Sequence, residues 1–404
     1  SLVVCPKSVQ DNWRAEAERF YPSLAVRVWS GTSLKNLPSE IGSAGLHVIN
    51  YAQLRSVGQA LARIDFLAAI LDEGQNIKNP SSLTTQFARQ LRASHRLILT
   101  GTPIENRLLD LWSLFSFAMP GVLGNRAAFG RLYDAASDPL ARPRLAARVR
   151  PFLLRRTKSQ VARDLPDRVE EDLYCEFEGE QQTLYAAELK RTQQLLLRLK
   201  TQTAFNKERL NVLTSLLRLR QICCHPALVL PETKIQGAKL EALLETLEPL
   251  IEEGEKVIVF SQFVEALALV QREVERRDWK CWKLTGVTED RGALVQEFQS
   301  HAGAGVFLIS LKAGGAGLNL TAASYVVLFD PWWNPAVENQ AIDRTHRIGQ
   351  TRKIIAYRIL IKGTIEEKIR QLQKQKAALA EDILGEERFA QSLTLSDLHF
   401  LLDS

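Results

Sequence analysis

Two arginines three residues apart, Arg344 and Arg347, close the segment DPWWNPAVENQAIDRTHRIGQ (330–350), behind an aromatic-rich turn set by Pro331 and Pro335. Helical spacing puts Gln340, Arg344 and Arg347 on one face. Guanidinium groups are the side chains best shaped to grip phosphate at two points. Two adjacent acids form the second feature. In FLAAILDEGQNIKN (66–79) an apolar run leads directly into Asp72, Glu73, Gly74 and Gln75. Acids that follow a buried strand are costly unless they hold a cation or do proton chemistry. Asp72 suits magnesium held through water, and Glu73 suits orienting and deprotonating an attacking water. The competing reading of this motif alone is an ordinary acidic strand-to-helix turn.

Two loops add to these. RLILTGTPIEN (96–106) ends an apolar run in Thr100, Gly101, Thr102 and Pro103, small hydroxyl residues and a tight turn. Such a loop can bond to the carboxylates of a phosphate site and shift with nucleotide state; alone it is equally a turn with a helix cap. LISLKAGGAGLNLTAAS (308–324) opens into Gly314, Gly315 and Gly317, then Asn319 and Thr321. Glycines there allow close backbone approach to phosphate. The four features together imply a nucleoside triphosphatase whose site lies between two lobes, with Arg347 the first choice for a charge-stabilising finger and Arg344 the next.

The elements that must position these residues read as α/β. Buried strands are expected at Leu2–Cys5, His47–Asn50, Phe66–Leu71 and Leu97–Thr100, then at Val257–Ser261, Cys281–Leu284, Val306–Ser310, Tyr325–Asp330 and Ile354–Ile361. Their continuous apolar character fits parallel sheets covered on both faces. Polar-faced helices such as Ser8–Phe20 and Val264–Arg277 alternate with them, giving two doubly wound lobes. From about 105 to 250 no strand is expected. Leu108–Ala118, Asn125–Ala136 and Gln181–Gln221 read as helices, the last broken near Phe205, and Val161–Pro166 as a connector. The expected organisation is a first lobe with a helical protrusion over 1–165. A helical linker and second protrusion cover 166–235, and a second lobe with a C-terminal brace covers 236–404.

Composition sets outer limits. The chain has 404 residues, a net charge of +6 and 46% hydrophobic residues. That permits an anionic partner without demanding one. Basic residues gather in ARPRLAARVRPFLLRRTK (141–158). No segment reaches the roughly 20 apolar residues of a membrane span, and the N-terminus lacks a signal-peptide pattern. The five cysteines lack CxxC spacing, so no zinc site or disulfide framework is expected and a reducing cytoplasm is the natural home. Cys223, Cys224 and His225 are read as packing residues.

In order along the chain, the motifs resemble those of the SWI/SNF-type ATPases of helicase superfamily two. LVVCPKSVQDNW (2–13) and INYAQLR (49–55) are similar to motifs Ia and Ib, DEGQ (72–75) to motif II and LTGTPIEN (99–106) to motif III. VIVFSQF (257–263) resembles motif IV, LTGVTEDRGALVQEFQ (284–299) the segment after it, the glycine loop motif V and QAIDRTHRIGQ (340–350) motif VI. LRQICCHP (219–226), RRTK (155–158) and GTIEEKI (363–369) also look like family segments. The resemblance implies two RecA-like lobes of the P-loop NTPase class with helical insertions. It also implies ATP and magnesium as cofactors, and translocation on double-stranded DNA to remodel a DNA-bound protein of unstated identity. It makes Asp72, Glu73, Arg344 and Arg347 catalytic. Gln75, Thr100, Gly101, Thr102, Gly315, Gly317, Gln340 and Asp343 would couple nucleotide state. Lys7, Ser8, Gln53, Ser261, Gln262, Lys312, Asn319 and Trp332 would meet DNA, mainly at phosphates; Trp332 and Trp333 either brace the DNA-facing loop or fill core space, with packing favoured for at least one of them. A bacterial or archaeal, nucleoid-associated protein is the expected setting.

One departure matters. The pattern GxxxxGK[ST], whose lysine and amides cradle phosphates, is absent, and GTSLK (31–35) neither has its form nor its position. The expectation is a chain truncated before that loop, from a full protein that hydrolyses ATP, and inactive alone. A non-catalytic DNA-binding scaffold and an RNA-directed helicase are the alternative readings.

Overall fold

The computed structural model describes residues 1–29, 41, 45–100, 108–134, 140–154, 156, 165–177, 179–197, 202–311, 313, 318–347, 349–380 and 395–402. The chain divides into two compact units, Ser1–Val161 and Ala162–Ser404. Gly101, Thr102, Lys312, Gly315 and Gly317, and the GTSLK segment, lie outside the described residues.

In the first unit five parallel strands run in the order β2-β3-β1-β4-β5. They are β1 (Leu2–Cys5), β2 (Val26–Val28), β3 (Leu46–Asn50), β4 (Asp65–Asp72) and β5 (Arg92–Leu99). β1 lies at the centre, with Leu2 opposite His47 on one side and Ala69 on the other. Helices Gln10–Phe20, Tyr51–Leu61 and Leu83–Gln90 make the crossovers. The polar residues that follow β1 and β4 therefore leave the same, carboxyl edge of the sheet, where open α/β sheets bind ligands. A second, smaller core of Leu111, Phe115, Phe129, Leu145 and Val149 joins helices Leu108–Ala118, Arg126–Phe129 and Ala141–Val149 into a helical subdomain. The helix expected over 125–136 is one short turn that widens into a π-helical stretch at Gly130–Asp134.

Six parallel strands form the second unit, in the order β6-β11-β10-β7-β9-β8. They are β6 (Arg168–Cys175), β7 (Lys256–Ser261), β8 (Cys281–Leu284), β9 (Gly305–Ser310), β10 (Tyr325–Leu328) and β11 (Ile354–Ile361). Strand periodicity alone sorts its core into two layers. Ile258, Phe260, Phe307, Ile309, Val326 and Leu328 enter one cluster, while Val257, Val259, Val306, Leu308 and Val327 enter the other. Helices Gly179–Leu197 and Gln202–Cys224 pack through Tyr185, Leu196, Val212, Leu216 and Leu219 against Ile365, Ile369 and Leu372 of the helix Ile365–Ala380.

Two strands escaped the sequence reading. β2 has three residues. β6 is the weightier correction, because 168–175 lies where only a connector and helices were expected. It pairs along its whole length with β11, Arg168 opposite Ile354 through Cys175 opposite Ile361. Its sequence RVEEDLYC carries three acids in a row, a composition that opposes strand formation in isolation. Cationic partners nearly two hundred residues away reverse that balance: Arg358 meets Glu170 and Asp172, and Arg370 and Lys374 meet Asp172.

Candidate functional site

At the end of β4 the backbone turns sharply. Glu73 adopts φ 52° and ψ 55°, one of two non-glycine residues with positive φ among those described. This left-handed conformation is disfavoured for a residue with a Cβ and marks functional sites when the surroundings enforce it. Three bonds enforce it here. The Glu73 amide donates to Asp72 Oδ1 at 2.9 Å, Tyr51 Oη donates to the Asp72 carbonyl at 2.7 Å, and Asn76 Nδ2 donates to the Glu73 carbonyl at 2.8 Å. Burial beside Asp72 pushes the Tyr51 hydroxyl well above its ordinary range, so it stays a donor. Gly74 follows because a Cβ there would collide with Ile98 Cγ2 of β5.

The carboxylates are held at fixed orientations. Trp13 Nε1 donates to Asp72 Oδ2 at 2.9 Å, which ties the acid to the helix after β1. Gln75 Nε2 donates to Glu73 Oε2 at 2.7 Å, and Thr100 Oγ1 donates to Gln75 Oε1 at 2.9 Å. Thr100, Gln75 and Glu73 thus form a relay from the end of β5 to the acid. Trp13 and Tyr51 were missed as site residues, although both stand in the segments LVVCPKSVQDNW and INYAQLR. Neither Asp72 oxygen is saturated by its one bond, so the acid fits the water shell of a hydrated magnesium. Direct ligation would compete with Trp13.

In the second unit the arginine segment differs from the expected continuous helix. The α-helix is Pro335–Ile342 and ends before both arginines. The Arg344 amide bonds back only three residues, to the Ala341 carbonyl at 3.2 Å, and the Arg347 amide to the Thr345 carbonyl at 3.1 Å. Gln340 therefore stands on the helix while Arg344 and Arg347 stand on the turn that follows it. Arg344 is 4% exposed and its carbonyl accepts from the Leu320 amide at 3.1 Å. Arg347 is half-buried, with Nε donating to the Asp343 carbonyl at 3.3 Å. Gln350 locks the turn from beyond: Nε2 donates to the carbonyls of Thr321 and Ala323, and Oε1 accepts the amides of Thr351 and Arg352. The arginine turn and the segment after the glycine loop are thereby one rigid piece.

Glu338 organises the helix ahead of that turn. It is 1% exposed, accepts from the Trp332 amide at 2.7 Å and pairs with Arg358 Nε at 2.9 Å. Burial alone would lower the Arg358 pKa; Glu338 and Glu170 override it and hold the guanidinium charged above its usual range. Arg168 of β6 reaches Asp343 at 3.3 Å and Asn339 at 2.7 Å, and His346 Nε2 meets the Pro166 carbonyl at 2.8 Å. The overlooked strand is therefore the anchor of the arginine segment.

Of the residues expected at nucleic acid, Lys7 and Asn319 are exposed and Ser8 is half-buried, next to the carboxyl end of β1 in the case of Lys7 and Ser8. Gln53 is engaged in a capping box with Asn50, and its Nε2 donates to the Trp29 carbonyl at 2.7 Å. Ser261 is fully buried and bonds to Asp330, whose Oδ1 also accepts the half-buried Gln262's amide at 3.2 Å. Trp332 is 4% exposed inside the second unit's core. Burial corrects the expectation for Ser261 and Trp332, which are packing residues that shape the loops beside them. Cys223 and Cys224 are buried in different core clusters, and His225 caps a short turn by accepting the Ala227 amide at 3.0 Å.

Residues 1–228 match the SNF2-related domain and residues 238–349 the helicase conserved C-terminal domain. The chain belongs to the SNF2 family. It is 37% identical to an ATP-dependent helicase of Mycoplasma pneumoniae, over 98% of this chain and 38% of that protein. It is 32% identical to the DNA excision repair protein CSB of Oryza sativa, over 100% of this chain and 39% of that protein. Among solved structures, the SWI2/SNF2 ATPase core of Sulfolobus solfataricus in complex with dsDNA is 33% identical with a TM-score of 0.51, covering all of this chain and 86% of that one. The SNF2 chain spans about two fifths of the length of the curated relatives it matches. Its two parallel-sheet lobes are the RecA-like fold of helicase superfamily two, a family of ATP-dependent helicases.

Proposed function

We propose that this chain carries the motor of an ATP-dependent translocase that moves on double-stranded DNA and remodels the protein–DNA complexes it meets. The observation that carries the reading is the enforced left-handed Glu73, bonded through Gln75 to Thr100. An acid held in a disfavoured conformation by three elements is an acid with a fixed direction of action. Asp72 would hold magnesium through water, and the ion when bound would supply positive charge to the phosphates. Glu73 orients the attacking water and takes its proton. Arg347, with Arg344 behind it, stabilises the charge that develops on the transferred phosphoryl group. Gln75 and Thr100 report the state of that site to the loop after β5. Gln340, Asp343 and the glycine loop do the same in the second unit.

Double-stranded DNA as the track is supported by the archaeal family member, which was solved with it. Exposed Lys7 and Asn319, with Ser8, Gln262 and Lys312, are the proposed phosphate contacts, and binding is accordingly sequence-tolerant and salt-sensitive. The GxxxxGK[ST] pattern is not among these 404 residues, so turnover is proposed for a full-length protein that also carries such a loop. Displacement of a third strand from a DNA triplex tests translocation without strand separation. The full-length protein is expected to release the third strand only with hydrolysable ATP and to leave a forked duplex paired. Unwinding of the fork, or no triplex release, would overturn the translocase reading.

A further inference from the structure

The helical subdomain of the first unit holds charge in a way that the motifs do not use. Residues 120–160 contain nine of the chain's 52 Lys and Arg but only two of its 46 Asp and Glu. That local excess of seven exceeds the whole chain's excess of six, so the rest of the molecule is almost neutral. The net positive charge is thus concentrated in one stretch of the sequence, 120–160.

The subdomain is a folded platform. Ala141, Leu145 and Val149 recur every four residues on the buried face of their helix, and Leu145 and Val149 share a core with Phe129 and Phe115. Arg144 and Arg148, one turn apart, are exposed on another face, and Arg131 and Arg150 are exposed on the neighbouring stretches. Like charges at this helical spacing repel. Among the described residues no carboxylate pairs with Arg131, Arg148 or Arg150. Among the described residues Arg126 donates to the Ser81 hydroxyl, at 3.3 Å, and burial, aided by the Arg126 charge, lowers the pKa of Arg89. The second unit shows the opposite habit, with Arg168, Arg352, Arg358 and Arg370 each matched to an acid.

We infer that the arginine face of this helical subdomain, centred on Arg131, Arg148 and Arg150, is a second contact surface for the phosphate backbone of duplex DNA, separate from the motif residues at the strand ends. Arginine rather than lysine dominates it, eight to one over residues 120–160, as suits planar, two-point recognition of phosphate. The inference rests on the DNA-binding part of the proposed function and adds to it a track contact that holds the first unit on DNA whatever the nucleotide state. Exposed Leu132 and Leu140 in the same subdomain make an acidic peptide the alternative occupant.

The test is equilibrium binding without nucleotide, by fluorescence anisotropy of a labelled random-sequence duplex over a range of salt concentrations. The protein is compared with the triple variant Arg131→Gln, Arg148→Gln, Arg150→Gln, all exposed positions whose substitution leaves the cores intact. Loss of three phosphate contacts is expected to flatten the slope of log affinity against log salt by about 2.7 and to weaken binding at least about tenfold at low salt. An unchanged slope overturns the inference, and so does an unchanged slope combined with lost binding of a labelled oligo-glutamate peptide, which would make the face a protein dock. Steep wild-type binding that flattens in the variant, in a protein whose ATP turnover ignores DNA, would sink the translocase reading while leaving this surface established.

Discussion

Replacing Arg347 by alanine lowers the duplex-stimulated kcat of the full-length protein by about 10³–10⁵, with the KM for ATP little changed. The magnitude is that of a transition-state arginine in phosphoryl transfer, and the split follows because charge on the phosphoryl oxygens develops only during reaction. Structure separates this arginine from its neighbour. Arg347 is half-buried on a turn locked by Gln350, whereas Arg344 is 4% exposed. Arg347→Ala therefore leaves the thermal unfolding midpoint close to that of the parent, and Arg344→Ala lowers both rate and midpoint. Arg347→Lys does not restore the rate, because an ammonium lacks the guanidinium fork. Steady-state kinetics with duplex DNA, read beside a melting curve, checks all three. A lysine variant at full rate, or Arg347→Ala with an unchanged kcat, contradicts the assignment.

Replacing Arg358 by alanine destabilises the second unit by about 3–5 kcal/mol, the cost of leaving a buried ion-pair partner alone. Glu338 is that partner, 1% exposed, and Glu170 and Asp172 lose the same guanidinium. The double variant Arg358→Met, Glu338→Leu recovers much of the loss, since an apolar pair of similar volume has no stranded charge. Urea unfolding monitors both. Acid narrows the difference between parent and Arg358→Ala. Burial raises the pKa of Glu170, but the bonds and charges of Arg358 and Arg168 win and hold it below the usual carboxylate range. Stability from a depressed carboxylate is present above its unfolded value of about 4 and is lost as pH falls through the folded value. The gap therefore shrinks below about pH 4. A gap that stays constant from pH 7 to pH 3, or a stability unaffected by Arg358→Ala, contradicts this account of the anchor.

The acids proposed for catalysis and most of the strands stand out in the sequence because they depend on local order. An apolar run ending in Asp72 and Glu73 requires only the chain's own continuity, and the buried runs of β1, β7, β9 and β11 announce strands covered on both faces. What escaped depends on partners far away. β6 reads as a charged connector until Arg358, Arg370 and Lys374 neutralise its acids. The helix that carries Gln340 has a sound periodicity through Arg347, yet it stops at Ile342 because Gln350 and Leu320 claim the backbone of the following turn. Polar type misled at Ser261, which serves a buried aspartate, and half-buried Gln53 spends its side chain on a helix cap and the Trp29 carbonyl. Trp332 likewise is core, since nothing in a Trp-Trp pair says which face of a turn is dry. The left-handed Glu73 could not be read from letters at all, for its conformation is imposed by Tyr51, Asn76 and the Ile98 side chain against Gly74.

The central claim is an ATPase whose acid is Glu73 and whose activator is duplex DNA. The most direct test is the ATP turnover rate of the full-length protein with no nucleic acid, with duplex DNA, with single-stranded DNA and with RNA, in parent and Glu73→Gln. The expected result is stimulation greatest with duplex DNA, and a Glu73→Gln variant that still binds the duplex but loses at least about 10²-fold in rate, the contribution of a positioned general base. Turnover indifferent to duplex DNA, or a Glu73→Gln variant as fast as the parent, would contradict it.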